Sequence, residues 1–250
     1  MKMRTILKKF SAFMLITAML TGMFELTTGK VSADASDNPV NMYFCDDQLC
    51  YHGAVSFTVY IQIDAKSANH KQVFIHHTLD DSGVWSDTAA TYVTKLDDNT
   101  EIWKADIAST YEASVEYAVK YIGDGRTYWD NNNGNNYKYN DILGIANVKA
   151  GRIRRTYSGL YIAATVKNLA PNKKVRLRFT LDNWTTYQDA DFSYVSERPG
   201  TDSETWSINL NIDESKMNSF QYCVYYEVNG QTYWDSNFGA NYNHEYSRYY

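Results

Sequence analysis

The sequence predicts an all-β protein made of two tandem β-sandwich domains of the immunoglobulin-like kind, and three observations carry that expectation. Apolar and polar residues alternate at period two in segments such as SFTVYIQID (56–64) and GLYIAATVKN (159–168), the pattern of strands with one buried face. Tyrosine occurs 22 times and proline only 3 times, and no long helical stripe competes with the strand pattern. The segment TYWDNNNGNNY (127–137) is written a second time as TYWDSNFGANY (232–242), so the chain contains a duplication.

The chain opens on Lys2, Arg4, Lys8 and Lys9, continues with an apolar run over 10–24, and reaches a small-x-small sequence ending at Ala33. Those are the parts of a secretory signal peptide, so 1–33 is expected to be removed and the protein to be secreted and extracellular. No later stretch approaches ~18 consecutive apolar residues, and no membrane span is expected. Taking 33 residues from 250 leaves 217, which suits two domains of about 100 residues. They are expected at 34–140 and 145–250, with the linker around 139–150. The formal net charge is −5 and the pI about 5.5, even with the basic leader included. Nucleic acid is a poor partner for such a chain. The basic knots are GRIRR (151–155) and KKVRLR (173–178); in the second, the charges at 174, 176 and 178 alternate with Val175 and Leu177 and read as the solvent face of a strand.

All six tryptophans fall into the duplication. Trp129 and Trp234 are 105 residues apart, Trp103 and Trp206 are 103 apart, and Trp85 and Trp184 are 99 apart. Each copy is long enough for a complete sandwich of about seven or eight short strands. Trp103 and Trp206 sit inside alternating segments and read as core. Trp85, Trp129, Trp184 and Trp234 lie beside Asp, Asn and Gly in loop-like segments, where an exposed indole marks a binding surface or else folds back to plug a sandwich end. A pyranose ring offers C–H groups on its faces and hydroxyls around its edge. Tryptophan supplies a flat apolar platform for the first, and asparagine supplies both donors and an acceptor for the second. Part of the asparagine richness is turn chemistry, because Asn and Gly tolerate positive φ.

Cys45 and Cys50 flank DDQL, where two strands could reverse, and an extracellular hairpin disulfide is expected there. Cys223 reads as a buried free thiol. His76 and His77 are adjacent, so on a strand they face opposite ways and cannot chelate together. No metal and no cofactor are expected.

VKNLAPNKKVRLRFTLDNW (166–184) and YEVNGQTYWDSNFGANY (226–242) resemble the family 21 carbohydrate-binding module, the starch- and glycogen-binding domain found beside some glucoamylases and in glycogen-targeting phosphatase subunits. The resemblance covers about 147–242 and recurs in the first half at YIGDGRTYWDNNNGNNY (121–137). It implies a sugar platform on Trp184 and Trp234, helped by Asn168, Lys173 and Asn241. In the first copy the same roles fall on Trp85, Trp129, Lys71, Asn131, Asn133 and Asn136. A secondary site would involve Tyr92 and Tyr194, but its other aromatic is replaced by Asn69 and Pro171. A strand aromatic of the principal site is replaced by Ala118 and Cys223, and two amide positions become Ser236 and Phe238.

The function this implies is non-catalytic binding of an α-glucan such as starch, amylose or glycogen, with a separate amylolytic enzyme as candidate partner. One alternative is a secreted adhesive surface protein that binds another polysaccharide or a protein. A hydrolase is a weaker one: glycosidases need two carboxylates about 5 to 9.5 Å apart, and each copy offers one shared acid, Asp130 or Asp235. The phosphatase-targeting role is disfavoured by the export signal.

Overall fold

The computed structural model describes residues 38–49, 55–79, 83–96, 99–110, 115–138 and 140–243. The expected signal peptide and Cys50 lie outside them. Among the described residues nine strands build each half. The first half contains β1 (Val40–Leu49), β2 (Val55–Asp64), β3 (Lys71–Thr78), β4 (Ser86–Ala89), β5 (Thr91–Lys95), β6 (Thr100–Thr110), β7 (Glu116–Gly123), β8 (Arg126–Asp130) and β9 (Tyr137–Lys138). The second contains β10 (Val148–Thr156), β11 (Gly159–Lys167), β12 (Lys173–Thr180), β13 (Gln188–Asp191), β14 (Ser193–Glu197), β15 (Ser203–Asn211), β16 (Gln221–Val228), β17 (Gln231–Asp235) and β18 (Tyr242–Asn243).

Each half is a sandwich of two antiparallel sheets. The first half has orders β1-β2-β6-β5 and β4-β3-β7-β8, with β9 also on β7. The second repeats them as β10-β11-β15-β14 and β13-β12-β16-β17, with β18 on β16. Period-two burial makes the two layers adhere. In β2, Phe57, Val59, Ile61 and Ile63 are buried and meet Val73, Ile75, Tyr117, Val119 and Tyr121 of the facing sheet. In the second half Ile162, Ala164 and Val166 meet Val175, Leu177, Tyr222, Val224 and Tyr226. Among the described residues no helix is long and apolar enough to cross a membrane.

Trp103 and Trp206 are half-buried against these cores, and each is fixed by the same strut. Lys71 Nζ donates to Glu101 Oε1 at 2.7 Å, and Trp103 Nε1 donates to Glu101 Oε2 at 3.0 Å. Lys173, Glu204 and Trp206 repeat this at 2.7 and 3.0 Å. The lysine comes from one sheet and the glutamate and indole from the other, so the strut ties the layers together.

The turn expected over 46–49 is strand instead. β1 continues to Leu49, opposite Val55, because its pairing with β2 persists along its whole length. Cys45 is buried in the core beside Tyr117, whose hydroxyl burial pushes far above its ordinary value.

The linker is a bonded strap. Backbone hydrogen bonds run from Cys45 N to Ile142 O, Gly144 N to Tyr43 O, and Ile145 N to Met42 O, at 2.8 to 3.2 Å. Gly144 lies so close to β1 that a Cβ there would strike the Met42 carbonyl oxygen. From the second sandwich, Lys167 Nζ donates to Gly144 O at 2.5 Å and Arg198 Nη2 to Asn140 O at 3.3 Å.

One carboxylate per copy fastens the last loop to the first strand. Asp130 accepts from Met42 N at 2.6 Å and from the Tyr137 hydroxyl at 2.9 Å. Asp235 accepts from Ala150 N at 2.5 Å and from the Tyr242 hydroxyl at 2.8 Å. Replacing Asp235 by Ala strands a buried N–H and a buried hydroxyl, each costing roughly 1–3 kcal/mol. We expect Asp235→Ala to lower the urea-unfolding free energy by about 3 kcal/mol; a change under about 1 kcal/mol would refute the clamp.

Candidate functional site

The outer face of the β4-β3-β7-β8 sheet carries an open groove. Alternation on β3 turns Phe74 and His76 outward while Ile75 and His77 point into the core. Register sets His76 opposite Ala118 on β7 and Asp87 on β4, and sets Lys120 opposite Trp129 on β8. The groove encloses about 280 Å³ and is lined by His76, Trp85, Ala118, Trp129, Asn131 and Asn136. Trp85 stacks on the His76 ring at 5.0 Å and 19°, while Trp129 meets the same ring edge-on at 5.3 Å and 74°. The two indole planes therefore stand at least about 55° apart, the difference between those angles.

Electrostatics hold this arrangement in place. Asp87 accepts from His76 Nδ1 and from Lys120 Nζ, both at 2.6 Å. Lys120 in turn lies 5.7 Å above the Trp129 ring, within cation–π reach. Partial burial tends to raise the Asp87 pKa, but the hydrogen bonds from Lys120 and His76 outweigh it and hold the group below the usual carboxylate range. Asn38 Nδ2 donates to the Trp129 carbonyl at 2.9 Å, pinning the strand that presents the indole.

The asparagine loop divides its labour. Asn132, Asn133 and Asn136 adopt positive φ of 52°, 56° and 56°, where Asn is tolerated. Asn131 Oδ1 caps Gly134 N at 3.0 Å, Asn132 Nδ2 donates to Asn136 O at 3.1 Å, and Asn135 Nδ2 donates to Asn132 O at 3.2 Å. Asn136 Nδ2 reaches Glu116 at 3.4 Å. Asn133 is exposed. Most of these amides thus build the loop, and Asn131 and Asn136 line the groove with Trp129.

The second copy places a different set on the equivalent face. Trp234 stacks on Tyr225 at 4.5 Å and 25°. Arg178, in the place of His76, lies 4.1 Å from the Tyr187 ring and 5.3 Å from Trp234, and donates to both oxygens of Asp189 at 2.8 Å. Tyr187 directly precedes β13 as Trp85 directly precedes β4. The spatial counterpart of Trp85 is therefore Tyr187, and the pairing of Trp85 with Trp184 is corrected: the strands here repeat at 102 residues, not 99.

Trp184 lies in the preceding turn at φ +64°, with its N–H on Thr180 Oγ1 at 3.0 Å and its Nε1 on Gln221 Oε1 at 2.8 Å. Gln221, Cys223 and Tyr225 alternate on one face of β16, so Trp184 and Trp234 stand at opposite ends of one row with Cys223 between them. Burial pushes the Cys223 thiol up to about 12, which leaves it unreactive at neutral pH. Asn241 keeps the loop role of Asn136: its carbonyl accepts from Asn237 Nδ2 at 3.3 Å.

Lys71, Lys173 and Asn168 do not join Trp85, Trp129, Trp184 or Trp234 but belong to the struts of Trp103 and Trp206. Both lysines turn inward to their glutamates, and Asn168 Oδ1 accepts from Lys173 Nζ at 2.5 Å. Tyr92 and Tyr194 belong to the other sheet, more than half exposed, each edge-on to the strut tryptophan at 5.8 and 5.7 Å. Sequence reasoning missed His76 as a groove residue, Asp87 and Lys120 as the groups that hold it, and Tyr187 as the second-copy counterpart of Trp85. The available signal was the alternation Phe74-x-His76, which puts His76 outward on a strand.

Comparison with known proteins places the chain in a family. The family model of the carbohydrate/starch-binding module (family 21) matches residues 59–140 and 146–245, and the chain belongs to that family. Human protein phosphatase 1 regulatory subunit 3B is 47% identical over 87 residues, covering 32% of this chain and 30% of the relative. Regulatory subunit 3C of Bos taurus is 36% identical over 91 residues, covering 35% and 28%. The matches thus span under a third of these relatives' length.

Among solved structures, the carbohydrate-binding module of the muscle glycogen-targeting subunit of protein phosphatase 1 aligns with 42% of this chain and 76% of its own, at 23% identity and TM-score 0.34. The starch-binding domain of Rhizopus oryzae glucoamylase, solved with β-cyclodextrin and maltoheptaose, aligns with 39% and 92%, at 27% identity and TM-score 0.33.

The depressed Asp87 pKa makes a signed prediction. Its ion pairs contribute stability that is fully present above the unfolded carboxylate value of about 3.9 and is lost as pH falls through the lower folded value. Asp87→Asn should therefore lower the thermal midpoint at pH 7, and its deficit against the parent should vanish in acid. A deficit that persists below pH 2 would contradict this account.

Proposed function

We propose that the chain is a non-catalytic binder of α-glucans, with the groove of the first copy as its principal site and the Trp184–Trp234 row of the second as a weaker one. The observation that carries this is the angle between Trp85 and Trp129. An α-1,4-linked glucose chain curves, so successive rings present differently oriented faces, and two platforms at least about 55° apart suit it. A β-1,4 chain is a flat ribbon and would want coplanar platforms. Asn131 and Asn136 in the groove, with the exposed Asn133 on the same loop, supply neutral donors and acceptors.

In the second copy Tyr225 covers one face of Trp234, and Ser236 and Phe238 replace two amides, so fewer contacts remain. Binding is favoured over hydrolysis because Asp130 and Asp235 are occupied in fastening their loops. Two sites on one chain gain avidity on a polymer.

The basic and apolar leader supports export, which would leave an amylolytic enzyme acting on the same polymer as the natural beneficiary. A second reading, carried by the similarity to phosphatase 1 regulatory subunits, makes the chain a glycogen-side scaffold for a phosphatase. Recovery from the medium of a chain beginning near Asp34 would decide for export.

Sedimentation with insoluble starch, cellulose and chitin tests the main reading. We expect depletion by starch alone with no reducing sugar released. Losing an aromatic anchor costs about 1–3 kcal/mol, so Trp129→Ala should weaken starch binding by tenfold or more. Trp234→Ala should cost only a few-fold, and the double variant should abolish most retention. Full retention by the folded double variant would overturn the proposal.

A further inference from the structure

We propose that the loop of the second copy has been diverted from ligand contact to joining the two sandwiches, with Phe238 as the docking residue and an aromatic nest on the first sandwich as its partner. Phe238 stands where the first copy has Asn133, and the two loops share a backbone: φ is positive at Asn237, Phe238 and Asn241 as it is at Asn132, Asn133 and Asn136. Asparagine occupies such a conformation readily, whereas a bulky aromatic at φ +55° is strained. Loop geometry gives no reason for the change from Asn to Phe. The strain is offset only by what the ring touches.

The aromatic contacts of Phe238 lie across the joint. The Phe238 ring stacks on Phe44 at 5.6 Å and 13°, and packs against Tyr43 at 5.7 Å and Tyr60 at 5.4 Å. All three partners belong to the first sandwich. Lys149 closes the nest from the second sandwich, its ammonium 5.0 Å from the Phe44 ring and 3.7 Å from Asp46. The bonded strap 140–147 runs alongside. Together they make the pair a fixed unit in which two equivalent loops have different work, Asn133 facing solvent and Phe238 facing the neighbouring module.

The test uses the full chain. Phe238→Asn installs the residue that the same loop carries in the first copy, so the second sandwich should fold as before by circular dichroism. We expect chymotryptic cleavage after Leu143, read by mass spectrometry of the two halves, to accelerate about tenfold or more as the joint opens locally. We also expect one thermal transition in the parent and two in the variant. Tyr60→Ala should do the same from the other side, while Tyr187→Ala, far from the joint, should do neither. Unchanged cleavage and an undivided transition in both Phe238→Asn and Tyr60→Ala would overturn the proposal. Neither readout involves a sugar, so the result is independent of the α-glucan reading.

Discussion

One carboxylate in each copy, half-buried at Asp130 and buried at Asp235, ties the asparagine loop and its neighbouring tryptophan strand to the rest of the sandwich. Asp130 and Asp235 end the strands that carry Trp129 and Trp234, and each bonds forward to a tyrosine hydroxyl seven residues on and across to the bulged first strand of its sandwich. The loop between the acid and the tyrosine is thereby closed at both ends. Its asparagines can then spend backbone and side-chain groups on shape, and in the first copy Asn131 and Asn136 also line the groove. Burial pushes the Asp235 carboxyl upward in pKa, opposed by Lys149 and by its hydrogen bonds. Removing such an anchor releases the loop, the adjacent tryptophan and the first strand together.

The same anchor serves two outcomes. In the first copy the loop opens onto a groove whose tryptophans are set by His76, Asp87 and Lys120. In the second, Arg178 and Tyr225 stack into the corresponding space and Phe238 turns to the neighbouring sandwich. Duplication kept the frame, and divergence at a few outward positions redistributed the work.

The fold was legible because period-two burial in segments such as 56–64 and 173–180 states which face is inside. The turn role of asparagine was legible for a local reason too, whereas Trp129 and Trp234, read as loop residues, lie on strands β8 and β17. Other features depend on register, which a single sequence does not display. Trp85 and Trp184 look equivalent by order, yet strand pairing matches Trp85 with Tyr187. Lys71 and Lys173 resemble sugar contacts, but their strand parity turns them inward to Glu101 and Glu204. His76 became a groove residue only once β4 and β8 were seen flanking it, and the strap 140–147 reads as a plain linker until its hydrogen bonds to β1 are known.

The most direct measurement follows the six indole N–H resonances by NMR during titration with a soluble maltooligosaccharide. Trp85 and Trp129 should move at the lowest concentrations, Trp184 and Trp234 should follow later, and Trp103 and Trp206 should stay near their starting positions because their N–H groups are held by Glu101 and Glu204. Stationary Trp85 and Trp129 signals at saturating ligand, or equal movement of the strut tryptophans, would contradict the account.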